Sequence, residues 1–590
     1  MTDLTEFYRS RITSKTANLN QLKKKLGFSS MVRTLVFLAT CIAVYYSFSN
    51  YKIAIAIVLL AIILFVFLVT NHNKLRYQRD LTKSIIDQNE VELEVLNRVF
   101  HHLPSGEKYQ NPLHSYSQDI DLFGRGSFFQ YLNRTALESG SSFLADLLTQ
   151  NDINGIPKKQ EAIKELAQKP DWRQRFSGIA SQVKTEVDAR EVANWLQGYV
   201  PFMPKWIKPV STVFSVISVV LGILFYFDII SGYLMLGWFF LGVTIVGRYY
   251  KRVSALLDQT TKVQSTIEQF YKLLLEIEIQ EFSSDLLTQK RNEVVRSKAK
   301  ASRVLKKFSR YLDNLEQRNV MIFGQIISGL FLMDLKQSYN IEQWIIAHRL
   351  EVPKWFETIA FFDAYNSLGN FAFNNPTYVF PEITVSNAVL EVKGAGHPLL
   401  KPDTMVRNDF HIASEEFFIV TGANMAGKST FLRTVSLQIV MGNVGLPVCA
   451  EKSKYSPIKL ITSMRTTDSL TDDESYFFSE LKRLKFIVDQ IKTDRYFIIL
   501  DEILKGTNST DKAIGSRKFV EKLVGSNSTG IIATHDLSLC AVAEDMPEVK
   551  NYFFDAQIID GELYFDYSFK PGICKNMNAS FLLKKMEIVD

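Results

Sequence analysis

Cysteine is scarce in this 590-residue chain: Cys41, Cys449, Cys540 and Cys574 are all there is, and no two form a CxxC pair. That excludes a disulfide framework and the usual zinc-site spacings, and leaves reduced thiols in a cytosolic environment. Histidine is equally sparse, and its spacing matches no metal site; His101 and His102 are adjacent and so point to different faces of a helix or strand, as solvated or capping residues do. Internal repeats and low-complexity segments are missing, which argues against a solenoid or a disordered tail. The net charge of +6 is small for this length; it permits a nucleic-acid surface without requiring one. Proline and glycine almost vanish between Lys251 and about Trp344. Apolar residues recur there every three or four positions, which predicts long helices.

Charge itself is missing from four stretches: Thr34–Tyr51, Ile53–Asn73, Pro209–Phe227 and Ile229–Gly247, separated within each pair by Lys52 and by Asp228. A bilayer core takes about 20 apolar residues per helix, so each run is near that length. Lys23, Lys24, Lys25 and Arg33 precede the first pair and Lys74, Arg76 and Arg79 follow it. Lys205 and Lys208 precede the second, and Arg248, Lys251 and Arg252 follow it. The positive-inside rule then predicts two transmembrane hairpins in the cytoplasmic (inner) membrane, with every large segment in the cytoplasm. Tyr45, Tyr46, Tyr51, Tyr226, Tyr233 and Trp238 suit the membrane interface. Buried core helices are the competing reading of the same runs. A cleaved signal peptide is not expected, because the first run starts late and a second apolar run follows at once. The expected divisions are an N-terminal segment 1–33, hairpin 34–73, helical core 74–205, hairpin 206–250, further helical core or lever 251–375, and an α/β domain 376–590. The charge-rich stretch Lys290–Arg310 reads as a solvated helix face; if nucleic acid binds, it would supply phosphate contacts.

The α/β domain carries the chemistry. Glu416–Thr421 is an apolar strand, and it runs into Gly422-Ala423-Asn424-Met425-Ala426-Gly427-Lys428-Ser429 and then a helix from Thr430. This is GxxxxGK[ST]: glycines let backbone N–H groups turn toward phosphate, the helix start adds its positive dipole end, Lys428 reaches the β/γ-phosphates and Ser429 ligates magnesium. Tyr496–Leu500 is a second apolar strand, ending in Asp501 and Glu502. Asp501 is placed to hold Mg²⁺, and Glu502 to deprotonate an attacking water. A third strand, Gly530–Thr534, ends in His535, which can reach the γ-phosphate or the water. Alternating strands and helices imply a mainly parallel sheet, with its ligand beyond the carboxyl ends of the strands. The expected activity is hydrolysis of ATP to ADP and phosphate, with Mg²⁺.

These residues resemble the MutS family of DNA mismatch repair ATPases. Thr421–Thr430 resembles its TGPNMGGKST loop, Asp501–Thr507 its DE-I-G-R-G-T segment, Ala533–His535 its ATH, Ser475–Glu480 its ST-F-x-x-E helix start, and Gly396-His397-Pro398 its RHP. Asp121–Arg134 is similar to the start of the family's helical core. The likeness is specific over about 395–590, weaker over 115–205 and 251–395, and leaves out both apolar hairpins. It implies an all-α core before the P-loop domain, ATPase domains that pair as a homodimer, and DNA as a partner. It also implies that Ser475 faces the other subunit's γ-phosphate, with Gly506 and Thr507 at the same interface. Asn424 would help hold phosphate, and Met405 (in Met405–Asn408) and Tyr567 would lie at the adenine. The chain departs from the family at Ala423, Ala426 and Asp472-Asp473-Glu474. The stretch before Asp121 leaves no room for a mismatch-reading domain, and it holds no Phe-x-Glu wedge. Two other classes compete. One is a nucleotide-switched membrane scaffold or sensor without DNA. The other is an ABC-type transporter, which should show an LSGGQ-like segment before Asp501, and none is present.

Overall fold

A computed structural model describes residues 2–182, 187–295, 300–316, 321–465, 476–504, 509–559 and 562–575. The chain opens with two long helices, Thr2–Tyr46 and Tyr51–Leu96, folded back on each other. At 1.5 Å per residue each is about 68 Å long. Asn50 starts the second, its side-chain oxygen accepting from the backbone N–H of Lys52 at 3.2 Å and Ile53 at 3.4 Å. One hairpin has two environments. Near its base Tyr8, Leu22, Leu26, Leu81, Ile85 and Ile86 are buried, whereas toward the tip Leu60, Ile63 and Phe67 are each about 70% exposed. Among the described residues three helices are long and apolar enough to cross a membrane: these two and Ile207–Tyr226.

The fourth apolar run gives less helix than its length promised. Asp228 takes a left-handed φ of 59° and Ile229–Ser231 are spent in the turn, so the helix covers only Gly232–Gly247. The stretch expected as long helices divides into Tyr250–Ile279, Asp285–Val295, Ala301–Glu316, Met321–Phe331 and Met333–His348. Leu332, at φ 50°, breaks the last two apart. The long helix Val352–Asn374 runs through the middle of the core, and Asp363 on it caps another: its carboxylate accepts from the backbone N–H of Ala136 at 3.1 Å and Leu137 at 2.9 Å, at the start of Glu138–Thr149.

Among the described residues the C-terminal part holds ten strands. They are β1 (Glu382–Ile383), β2 (Ala388–Ala395), β3 (Asn408–Ala413), β4 (Phe417–Gly422), β5 (Lys452–Tyr455), β6 (Lys459–Ser463), β7 (Tyr496–Asp501), β8 (Thr529–Ala533), β9 (Val549–Ile559) and β10 (Glu562–Pro571). Two sheets result, ordered β1-β5-β2-β3 and β10-β9-β4-β8-β7-β6. In the second, β9, β4, β8, β7 and β6 are parallel, and β10 alone runs antiparallel. β4, β7 and β8 are buried almost throughout, as near-continuous apolar strands of a parallel sheet must be. The β6 edge is closed by the helical core. Thr462 donates its backbone N–H to the Ser115 carbonyl at 2.9 Å, and Asn151 exchanges two hydrogen bonds with Leu460. Arg465 and Arg433 reach Asp121 across the same seam. An unpaired edge is thereby removed, and the two parts are held in register.

Candidate functional site

β4 delivers the loop Gly422–Gly427 to the start of the helix Lys428–Val444. The backbone turns there in ways few residues allow. Gly422 has φ 151° and Gly427 φ 105°, and a Cβ on Gly422 would lie 2.6 Å from the Phe554 carbonyl oxygen. Met425, between them, is held at φ 66° although it is not glycine. The Lys428 ammonium curls back on the loop and donates to the carbonyls of Gly422 at 2.8 Å and Ala423 at 3.0 Å. Burial pulls its pKa below the ordinary lysine value, and the Asp501 and Glu502 carboxylates pull it back up.

β7 and β8 end beside this loop. The Ser429 hydroxyl donates to Asp501 Oδ2 at 2.8 Å. Glu502 sits at φ 56°, a strained conformation for a glutamate, and its backbone N–H is held by the Ala533 carbonyl at 2.9 Å. Its carboxylate lies 3.0 Å from His535 Nε2, and that same nitrogen is 3.2 Å from Lys428 Nζ. One imidazole nitrogen cannot donate to Glu502 and accept from Lys428 at once, so the histidine tautomer decides which of the two contacts is a hydrogen bond.

These groups open on a cleft of about 500 Å³. Its walls include Ala423, Asn424, Met425, Gly427, Lys428, Ser429, Thr430, Asp501, Glu502, His535 and Tyr567. Gly422 and the fully buried Ala426 stand behind that surface. The Tyr567 ring comes close to Gly427, where an added Cβ would be 3.1 Å from it. Tyr567 itself is at φ 53°, and Asn408 fixes its segment by donating to the Tyr567 carbonyl at 3.1 Å and accepting from Phe569 N–H at 2.8 Å. Met405 does not join the wall: its sulfur packs beside Gly396, and Thr404 and Val406 face the cleft in its place. Ser475, Gly506 and Thr507 lie outside the described residues, as do Asp472, Asp473 and Glu474.

Two further residues gain a role only in three dimensions. His397 lines the cleft, and burial first, then the nearby Arg433 charge, pushes its pKa down to about 4, so it is neutral. Glu480 is buried on the helix Tyr476–Gln490 and accepts from the Leu504 backbone N–H at 2.5 Å, tying down the turn that follows Glu502. The sequence held both, in Gly396-His397-Pro398 and in Ser475–Glu480, but neither string says what the side chain touches.

The donor set suits a magnesium ion. A hydroxyl and a carboxylate are hard oxygen ligands, and adjacent ligands of an octahedral ion bonded at about 2.1 Å lie about 3 Å apart. The Ser429 and Asp501 oxygens are 2.8 Å apart. Free N–H groups at the start of the Lys428–Val444 helix, with the lysine beside them, suit phosphate.

The model of MutS domain V matches residues 418–586, which hold the loop, β7, β8 and Tyr567. MutS protein homolog 4 of Homo sapiens is 30% identical over 274 residues, 43% of this chain and 28% of that protein. DNA mismatch repair protein MutS of Chloroflexus aurantiacus is 31% identical over 223 residues, 36% of this chain and 23% of that protein. DNA mismatch repair protein MutS of Methanosarcina barkeri is 32% identical over 242 residues, 40% of this chain and 27% of that protein. The chain thus matches about a quarter of the length of these relatives.

Proposed function

We propose that this chain, a member of the MutS family, is a membrane-anchored ATPase that works as a homodimer and couples its nucleotide cycle to DNA. The observation that carries the reading is the meeting of Lys428, Ser429, Asp501, Glu502 and His535 at one cleft. ATP would place its phosphates at the start of the Lys428–Val444 helix, with Lys428 leaving the Gly422 and Ala423 carbonyls to reach them. Ser429 and Asp501 would hold Mg²⁺, which when bound neutralises phosphate charge. Glu502 would take the proton of the attacking water, and His535 would orient that water or the γ-phosphate. Asn424 and Thr430 would complete the phosphate cradle, and Tyr567 would lie along the nucleotide. Ser475 of a second copy would close the site.

Two features support the anchor. Among the described residues three helices have the length and composition to cross a bilayer. The charges that interrupt the two apolar pairs also meet, Lys52 Nζ lying 3.5 Å from Asp228 Oδ2, so both hairpin tips stand at one level. For DNA, the helix Ala301–Glu316 exposes Arg303, Lys306, Lys307 and Arg310 along one face, where phosphates would bind without regard to sequence. A second reading, a nucleotide-switched membrane scaffold without DNA, is favoured by the apolar hairpin Ile207–Gly247, which interrupts the helical core.

Glu502→Gln tests the chemistry. It keeps the shape and loses the base, so the purified protein should bind ATP as before while kcat falls by about 10²–10⁴-fold; undiminished turnover removes Glu502 from this role. DNA affinity of the same protein, followed across salt concentration, separates the two readings: no binding even at low salt leaves the scaffold.

A further inference from the structure

Resting on the membrane reading above, we infer that the helix Met321–Phe331 is a fifth membrane-embedded element, a short segment that enters the bilayer against the second hairpin and does not cross it. The chain carries no charge from Val320 to Met333. Even if helical throughout, that uncharged stretch of 14 residues would span only about 21 Å, well short of the roughly 30 Å hydrocarbon core. Length alone therefore hides this segment from any search for spanning helices.

Its packing marks it. A Cβ on Gly242 would collide with the Gly329 carbonyl, and one on Gly329 would run into the Phe239 ring, so the two backbones touch through paired glycines. Small residues at a close crossing are the usual device for joining helices in lipid. The second observation concerns the helix end. The last carbonyls of a helix have no partner within it, and in water they are solvated. Here the Ser215 hydroxyl is shared between the Phe331 carbonyl at 2.9 Å and the Ser211 carbonyl of its own helix at 2.7 Å, and the Ser218 hydroxyl is shared in the same way between the Leu330 and Phe214 carbonyls. Trp238 Nε1 in turn donates to Ser218 Oγ at 2.8 Å, and its ring stacks on Phe214 at 4.2 Å. Hydroxyls from a membrane helix thus do what water would do, as backbone buried away from water demands. Ile326 and Ile327 are 41% and 45% exposed, and the two hairpin helices packed against this segment expose Val213, Val216 and Leu241. Acyl chains are the occupant of that surface.

The placement joins the membrane to the rest of the core. Leu332 turns the chain directly into Met333–His348, and Glu342 on that helix accepts from Phe202 N–H at 2.8 Å and Met203 N–H at 2.9 Å, just ahead of the hairpin. The second hairpin is therefore gripped at its base and along its flank by one continuous stretch of chain.

Cysteine accessibility tests this in the full-length protein in isolated membranes opened on both faces. In a Cys41→Ser background, Ile327→Cys, Val213→Cys and Leu113→Cys are treated with a membrane-impermeant maleimide, and ATP hydrolysis checks that each has folded. Leu113 is 84% exposed on the helical core and should label at once. Val213→Cys and Ile327→Cys should lose labelling in intact membranes and regain it after denaturation in detergent. Labelling of Ile327→Cys at the rate of Leu113→Cys, with Val213→Cys still protected, overturns this inference and leaves the anchor standing. Labelling of all three overturns the anchor itself and the inference with it.

Discussion

The polar cleft and the apolar hairpins, the end we propose lies in the membrane, solve opposite problems with the same backbone. At the cleft, three strand ends bring polar groups together and leave them open to a ligand: Ser429 lies 2.8 Å from Asp501, and His535 lies 3.0 Å from Glu502 and 3.2 Å from Lys428. At the membrane end, polar groups are few and spent on backbone. Ser215 and Ser218 close carbonyls of a neighbouring helix, and the surface they leave is apolar. The cleft is thus specified by residue identity at fixed spacing, and the membrane end by composition and by which small residues allow contact. A substitution that keeps size but changes chemistry should harm the first; one that keeps chemistry but changes size should harm the second.

The largest effect expected from sharpening this contrast is at Glu480. It touches no reacting atom in the described structure, yet it holds the Leu504 N–H beyond the strained Glu502. Glu480→Ala should lower kcat by about 10²-fold while the KM for ATP changes little, because a small displacement of a positioned base costs rate more than binding. Glu480→Gln keeps an acceptor oxygen and should recover most of the loss. Equal damage in both variants would mean that Glu480 serves the fold and not the position of Glu502.

The same contrast decides what was legible in the sequence. That the loop Gly422–Ser429, Asp501, Glu502 and His535 meet at one place was readable because their position follows from local chain geometry: a strand end, a helix start and a side chain one residue on. The mainly parallel order of the β10-β9-β4-β8-β7-β6 sheet followed from the alternation of strands and helices. Met405 was placed by alignment with a loop whose direction only tertiary packing fixes, and its sulfur lies against Gly396. The helix Met321–Phe331 was lost inside a stretch read as long helices, because a run this short has the same apolar pattern in a soluble core as beside a membrane. The turn at Asp228 shortened the fourth apolar helix, since residues that reverse the chain cannot also extend the helix.

A smaller effect is expected at His397, which tests whether the cleft wall is as dry as its packing implies. Its folded pKa, about 4, lies below that of an unfolded histidine, about 6.5. As pH falls the unfolded chain takes up the proton first. The contribution of the neutral ring is whole above about pH 6.5 and is lost as pH falls toward about 4. His397→Gln should therefore flatten the acid-side slope of stability by about one proton across that interval, read from denaturant unfolding at a series of pH values. An unchanged slope would place the ring in contact with water.

The smallest energetic effect is expected where the two hairpins touch. Lys52 and Asp228 are 42% and 73% exposed, and an exposed pair of this kind contributes only about 0–1 kcal/mol. Lys52→Gln and Asp228→Asn, alone and together, should shift thermal stability little, and their coupling in a double-mutant cycle should fall in that range. The geometry is the sharper test. The Lys52 ammonium also lies 5.5 Å from the centre of the Tyr226 ring, so the tips are side by side whatever the pair contributes. Lys52→Cys with Asp228→Cys, in a Cys41→Ser background, should be joined within one chain by a short bis-maleimide in membranes, a linker that replaces the reach of the lysine side chain, which a disulfide cannot span. If the two cysteines each label freely with a mono-maleimide and are never joined by the linker, the hairpins stand apart, and the membrane end is two separate anchors joined only through the helical core.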